Sequence, residues 1–230
     1  MPLYDIVYIL KEKTDTDELK YSLRSVEANF PHRFVWFVGG QPRDLKPDRA
    51  VRHKQQGATK WDMIKSSMLR VIREEELTDR FFLFNDDFFV MKPFEGVFIN
   101  YTDRDLGQRI EDFRKENAWL TPYARSLYKA EQELKSLGMT TYNFDVHMPM
   151  LFDKDKVGAI QKCSSPQMRS VYGNIVGCRH KDHKDVKVYS LTEAPPEDAD
   201  FLSTNDNTFE HGRVGDHIRF TFRKPSRFEI

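Results

Sequence analysis

The sequence predicts an α/β protein with a mixed, mainly parallel sheet flanked by helices, and three observations carry that expectation. Residues 4–10 (YDIVYIL), 34–38 (FVWFV) and 81–84 (FFLF) are short runs of β-branched and aromatic residues, the composition of strands. Between them lie segments with apolar residues at helical spacing. The third run is apolar at every position, as a strand covered on both faces should be.

Taken in order, the first strand runs into a polar stretch that ends in Asp15, Thr16 and Asp17. The sequence ELKYSLRSVEANF then places Leu19, Leu23, Val26 and Phe30 on one face of a helix, with Asp15 or Asp17 as N-cap and Pro31 as its stop. The second strand ends at Gly39 and Gly40, and strand, helix, strand at this spacing forms a parallel βαβ unit. A helix over residues 60–77 carries Trp61, Ile64, Met68, Leu69 and Ile72, and it leads into FFLF. Residues 91–140 are charged and aromatic with no clear partner strand; they are expected to form a lid or insertion with a helix over 120–137. Residues 142–152 are expected to return to strand, and a short helix begins at 154–160. Residues 177–187 are expected to be a loop, residues 186–191 a last strand, and Pro195-Pro196 opens a turn. The whole of 1–230 is expected to be one domain.

Composition narrows the function classes. Lys plus Arg and Asp plus Glu each total 36, so no net field steers the chain toward nucleic acid or membrane, although residues 43–54 and 180–187 are locally basic. Two cysteines, Cys163 and Cys178, are too few for a disulfide framework. The opening MPLYDIVYIL has neither the basic lead nor the long apolar run of a signal peptide, and no stretch is apolar enough to span a membrane. A cytoplasmic location is the expectation.

The chemistry centres on Asn85-Asp86-Asp87, delivered at the C-terminal end of an apolar strand, where open α/β sheets bind ligands. Adjacent acids repel unless a cation sits beside them, and Mg²⁺ or Mn²⁺ accepts carboxylate oxygens while keeping positions for a diphosphate. The bland alternative is a strand-ending turn, which Asn and Asp also favour. On a strand over 142–152, alternation puts Asp145 and His147 on one face, so that the carboxylate orients an imidazole able to act as general base; a structural histidine is the competing reading. The cluster Ser203-Thr204-Asn205-Asp206-Asn207 is either a capped turn or the source of a further metal ligand, Asp206. Cys178, His180 and His183 lack a fourth partner at a recognised zinc spacing and are read as a solvated loop. Arg24, Lys60, Lys65 and Arg169 are candidate phosphate contacts, set against the ordinary surface role of such residues.

Four segments together resemble the Stealth family of sugar-phosphate transferases and its small phage and bacterial relatives. Asp17-Glu18-Leu19-Lys20-Tyr21-Ser22-Leu23-Arg24-Ser25 resembles the family's D-E-L-R-Y-S-L-R-S signature, and Phe84-Asn85-Asp86-Asp87-Phe88-Phe89 its N-D-D-x-F motif. Asp145-Val146-His147-Met148-Pro149 is similar to the H-x-P segment, and residues 169–174 (RSVYGN) to a stretch of the small relatives. Residues 203–207 and 224–229 are weaker matches. The resemblance implies a glycosyltransferase-A-like, Rossmann-type fold and a UDP-sugar-like nucleotide-sugar donor. It also implies metal binding by Asp86 or Asp87 with Asp206 as a further ligand, a catalytic role for His147, and phosphate contact from Arg169. With Asp87 counted in the catalytic set, Glu18, Arg24, Gly39, Lys60, Lys65 and Asn85 make up the expected donor contacts. Two departures stand out: Leu10-Lys11-Glu12-Lys13 replaces the family's W-V-D-G type continuation, and Lys65 stands where sugar-phosphate transferring members carry Glu. The second exchange favours ordinary glycosyl transfer. The acceptor class stays open between a glycan and a modified base in DNA. Two other functions stay in view, a noncatalytic nucleotide- or glycan-binding module and a metal-dependent phosphoesterase.

Overall fold

The computed structural model describes residues 3–11, 17–57, 59–95, 97–116 and 121–230, without the side chain of Lys60. Strand β1 (Asp5–Leu10) is apolar throughout because it divides its side chains between two cores. Ile6, Tyr8 and Leu10 face one of them and Val7 the other. Helix α1 (Asp17–Asn29) lays Leu19, Leu23 and Val26 on the first face. Of the two expected N-caps, Asp15 falls outside the described residues and Asp17 is the first residue of the helix itself. Strands β2 (Val35–Gly39) and β3 (Arg49–Val51) follow in parallel, and α2 (Lys60–Val71) starts on a capping box between Thr59 and Asp62. This helix ends six residues before the expected 77, and the chain turns through residues 72–79 into β4 (Arg80–Phe84). Met68 and Val71 of α2 cover the second face of the sheet.

Beyond the acid turn come β5 (Phe88–Val90), β6 (Asn100–Thr102), α3 (Leu106–Lys115) and α4 (Pro122–Ser136). The expected helix start at Leu120 lies outside the described residues; the described helix opens on a Thr121 cap with Pro122 in its first turn. Then follow β7 (Met150–Asp153), the expected short helix as a 3₁₀ helix (Lys154–Lys162), α5 (Met168–Val176), β8 (His180–Asp182), β9 (Phe201–Ser203), α6 (Asp206–His211) and α7 (Arg213–Thr221). Met168 and Tyr172 of α5 join α2 on the second face, so the sheet has helices on both sides.

The main sheet has five strands in the order β3-β2-β1-β4-β7, all parallel except the antiparallel β7. The chain builds outward from β1 to β2 and β3, then returns to place β4 on the other side of β1. Between β1 and β4 the winding therefore reverses, and the C-terminal ends of the strands at such a reversal are where open α/β sheets take ligands. Residues 142–149 are not strand, contrary to expectation: only Met150–Asp153 pairs with β4, because Pro149 has no N–H for a ladder and His147 has φ 49°, outside the β region. The expected insertion over residues 91–140 does have a partner strand, since β6 pairs in parallel with β8 inside the segment read as a loop. The expected last strand at 186–191 reduces to one bridge, Lys187 to Ser203.

At the opposite end of the sheet Asp5 is fully buried yet well satisfied. Its carboxylate accepts from Arg33 Nε and Nη2 (both 2.8 Å), Trp36 Nε1 (2.9 Å), Thr78 N (3.1 Å) and Phe34 N (3.2 Å). These bonds tie β1, β2 and the turn before β4 together at one point. Truncating such a hub leaves several donors unpaired, so Asp5→Ala should cost about 3–5 kcal/mol of stability. Urea denaturation measures it; a loss below about 1 kcal/mol would contradict the role of this anchor.

Candidate active site

The strand β4 ends at Phe84, and the chain turns through Asn85, Asp86 and Asp87 before Phe88 buries itself in β5. The turn is closed by Phe88 N donating to Asn85 O at 3.3 Å. It is held against α1 from below: Ser22 Oγ donates to Phe88 O (2.5 Å) and pairs with Tyr8 Oη (2.9 Å), while Ser25 Oγ accepts from Val90 N (3.0 Å). The Ser22 and Ser25 of the α1 signature thus lock the strand that follows the acids.

The acids are partly buried and undercompensated. Burial, then the charge of Asp87, pushes Asp86 up to about 6, with Asp206 adding to the rise. Burial raises Glu18 to about 7, against a hydrogen bond from Thr204 Oγ1 (2.7 Å), and the charges of Asp87, Asp86 and Asp206 add to it. Glu18 from α1, the acid turn after β4 and Asp206 from α6 therefore share one electrostatic neighbourhood. Asp87 divides its carboxylate: Oδ2 accepts from Lys187 Nζ (2.8 Å) and Ser203 Oγ (3.4 Å), whereas Oδ1 is buried and has no hydrogen-bond partner among the described residues.

Two cations and one imidazole complete the site in a closed circuit. Arg169 is buried, donates Nη2 to Asn85 Oδ1 (3.0 Å) and Nη1 to Met148 O (2.8 Å), and lies over the Phe88 ring. Met148 follows His147, whose Nδ1 lies 2.9 Å from both oxygens of Asp185. Asp185 Oδ1 accepts from Lys187 N (3.0 Å), and Lys187 Nζ returns to Asp87. Residues 185–187 thus reach both the acids and the imidazole. They are fixed to β9 by Ser203 N to Val186 O (3.3 Å) and Val188 N to Ser203 O (2.9 Å).

Helix α5 holds the loop that carries His147. Ser170 Oγ accepts from Phe144 N (3.1 Å), Tyr172 Oη accepts from Asp153 N (2.7 Å), and Asn174 accepts from Tyr142 N (2.9 Å) while donating to Tyr142 O (2.8 Å). Gly173 has no side chain because a Cβ there would meet the Phe144 ring at 2.5 Å. Residues 169–174 therefore place Arg169 and clamp the histidine loop at the same time.

The structure brings Glu18, Asn85, Asp86, Asp87, His147, Arg169 and Asp206 to one edge of the fold. Gly39 ends β2 at φ 95°, where a Cβ would stand 2.6 Å from Leu10 O, so its glycine is required by the turn. Arg24 and Lys65 are committed elsewhere. Arg24 makes a bidentate pair with Glu229 (2.7 and 2.6 Å) and donates to Phe222 O (3.1 Å), while Lys65 Nζ donates to Cys163 O at 2.8 Å. The side chain of Lys60 lies outside the described residues. Asp145 does not orient His147, since it accepts instead from Tyr123 Oη at 3.1 Å and His147 pairs with Asp185. Sequence reasoning missed Asp185 and Lys187 because both sit in a run of His, Lys and Asp that looks like solvated loop.

The donor set fits a hard divalent cation in part. Two carboxylates side by side, an Asp87 Oδ1 with no partner among the described residues and an Asp86 raised by burial and by its neighbour's charge call for positive charge at this point. Among the described residues no group of three or more Asp, Glu, His or Cys side chains stands close enough together to hold a metal ion. In comparisons with known proteins, the chain matches no family model and no curated sequence. No helix among the described residues is long and apolar enough to cross a membrane.

The raised acids have a measurable consequence. Their folded values lie above the unfolded ones (3.8 for Asp86, 4.5 for Glu18), so their contribution to stability is full below pH 4 and is lost as pH rises through about 6 and about 7. For Glu18 the loss is on the order of 3 kcal/mol. The melting temperature without added metal should fall between pH 4.5 and 7.5, Glu18→Gln should flatten that slope, and Mn²⁺ should restore stability above pH 7. A slope unchanged in Glu18→Gln would contradict the shared acidic neighbourhood.

Proposed function

We propose that the chain is a metal-dependent transferase moving a sugar, or a sugar 1-phosphate, from a UDP-sugar-like donor to an acceptor hydroxyl. The observation that carries this reading is the acid turn at the reversal of the winding, with Asp87 Oδ1 buried and unpartnered beside a raised Asp86. The mainly parallel sheet and its ligand edge are compatible with a glycosyltransferase-A-like fold, and the motifs similar to Stealth proteins fall on that edge.

Asp86 and Asp87, with Asp206 from α6, would hold Mg²⁺ or Mn²⁺, which when bound supplies charge neutralisation to the leaving nucleotide. Arg169 and Lys187 donate to Asn85 and Asp87 of the turn, and each can also donate to a phosphate oxygen. Lys187 thus takes the role that sequence reading gave to Lys65. His147 accepts the proton of the acceptor hydroxyl. In glycosyl transfer the acceptor oxygen attacks the anomeric carbon, the bond from that carbon to the diphosphate breaks, and UDP departs. In sugar-phosphate transfer the same oxygen attacks the β-phosphorus, the bond to the bridging oxygen breaks, and UMP departs.

One observation favours a second reading, a noncatalytic nucleotide- or glycan-binding module. Lys187 already neutralises half of Asp87, as a site with no need of metal would arrange. The unpartnered oxygen and the raised acids weigh against it. Incubation with a panel of nucleotide sugars and Mn²⁺, followed by mass spectrometry, should yield UDP or UMP together with a modified acceptor. Asp87→Asn and His147→Ala should each lower turnover at least 10²-fold. Hydrolysis of simple phosphoesters without any donor would point to a phosphoesterase, and full activity in both variants would refute the site.

A further inference from the structure

We propose that Asp185 is the positioning residue for His147, fixing the imidazole with its proton on Nδ1 and leaving Nε2 as the proton acceptor. The inference deepens the transferase reading and rests on it for the catalytic role of Nε2. Three independent features support it. First, Nδ1 of His147 lies 2.9 Å from each oxygen of Asp185, so a carboxylate that can only accept meets the nitrogen that must then donate.

Second, His147 is held in the left-handed region at φ 49°, a conformation that costs a non-glycine residue about 1–3 kcal/mol and persists only where the surroundings impose it. Three contacts impose it: Arg169 holds Met148 O, Ser170 holds Phe144 N, and Asp185 holds the ring itself. Third, Asp185 is itself oriented, by Lys187 N at 3.0 Å and by the β9 bonds to residues 186 and 188. The two side chains are 20% and 18% exposed, buried enough to hold one geometry and open enough for the ring to meet a substrate.

The charged and titratable groups around the pair are Arg109 of α3, Tyr123 of α4, Asp145 of the preceding loop, and Lys187 and Tyr189 of the same segment.

The experiment joins a spectroscopic arm to a kinetic one, using the full chain. Nitrogen-15 NMR of the histidine side chains, with His147→Gln to assign the resonances, should show Nδ1 protonated and Nε2 free in neutral His147. Asp185→Ala should mix the tautomers. In the kinetic arm, with Mn²⁺ and whichever nucleotide sugar is turned over, Asp185→Asn should lower kcat about 10²-fold while leaving KM within about twofold. Asp185→Glu should recover part of kcat. A proton on Nε2 in the native protein, or a tautomer and a kcat unchanged in the Asp185 variants, overturns the proposal. If no donor is turned over, the transferase reading falls while the NMR arm still decides the pairing.

Discussion

Asp87 gives its two oxygens opposite fates, and the rest of the site is arranged around that division. Oδ2 is neutralised by Lys187 and touched by Ser203, while Oδ1 is buried and accepts no hydrogen bond from the described residues. A buried, unpaired carboxylate oxygen is costly, and here it stands beside a second acid and near a third. A fold keeps such a cost where a ligand removes it. The reversal of strand order between β1 and β4 supplies the location, since both strands end at that edge, where open α/β sheets bind ligands.

The acids are connected to the histidine through backbone and side chains that have little freedom. One route runs from Asn85 through Arg169 to Met148 O, the other from Asp87 through Lys187 to Asp185 and the ring of His147. Each route passes through a buried or half-buried charge, so neither half of the site can shift without exposing or unpairing the other. This coupling explains why α5 spends Ser170, Tyr172, Gly173 and Asn174 on gripping a loop instead of on chemistry.

The strands β1, β2 and β4 and the helices α1, α2 and α4 were legible in the sequence because two-sided burial leaves apolar runs and one-sided burial leaves helical spacing. The edge elements were not. Strands β6, β8 and β9 are three residues each, too short to carry a period, and they pair across long stretches of sequence. Within the site, the acid pair announced itself by following FFLF. Residues 142–152 misled because apolar residues in a buried, irregular loop look like strand until Pro149 and the φ of His147 are taken into account. Asp185 and Lys187 were hidden because their roles depend on partners 38 and 100 residues away.

The central claim is that the acid turn gathers a cation together with a diphosphate. Electron paramagnetic resonance of free Mn²⁺, titrated into the protein with and without UDP, tests it most directly. The account requires about one Mn²⁺ per chain to be sequestered, more tightly with UDP than without, and the sequestration to vanish when Asp86 and Asp87 are both changed to Asn. Equal Mn²⁺ uptake by the native protein and the doubly substituted one, or no uptake by either in the presence of UDP, would contradict it.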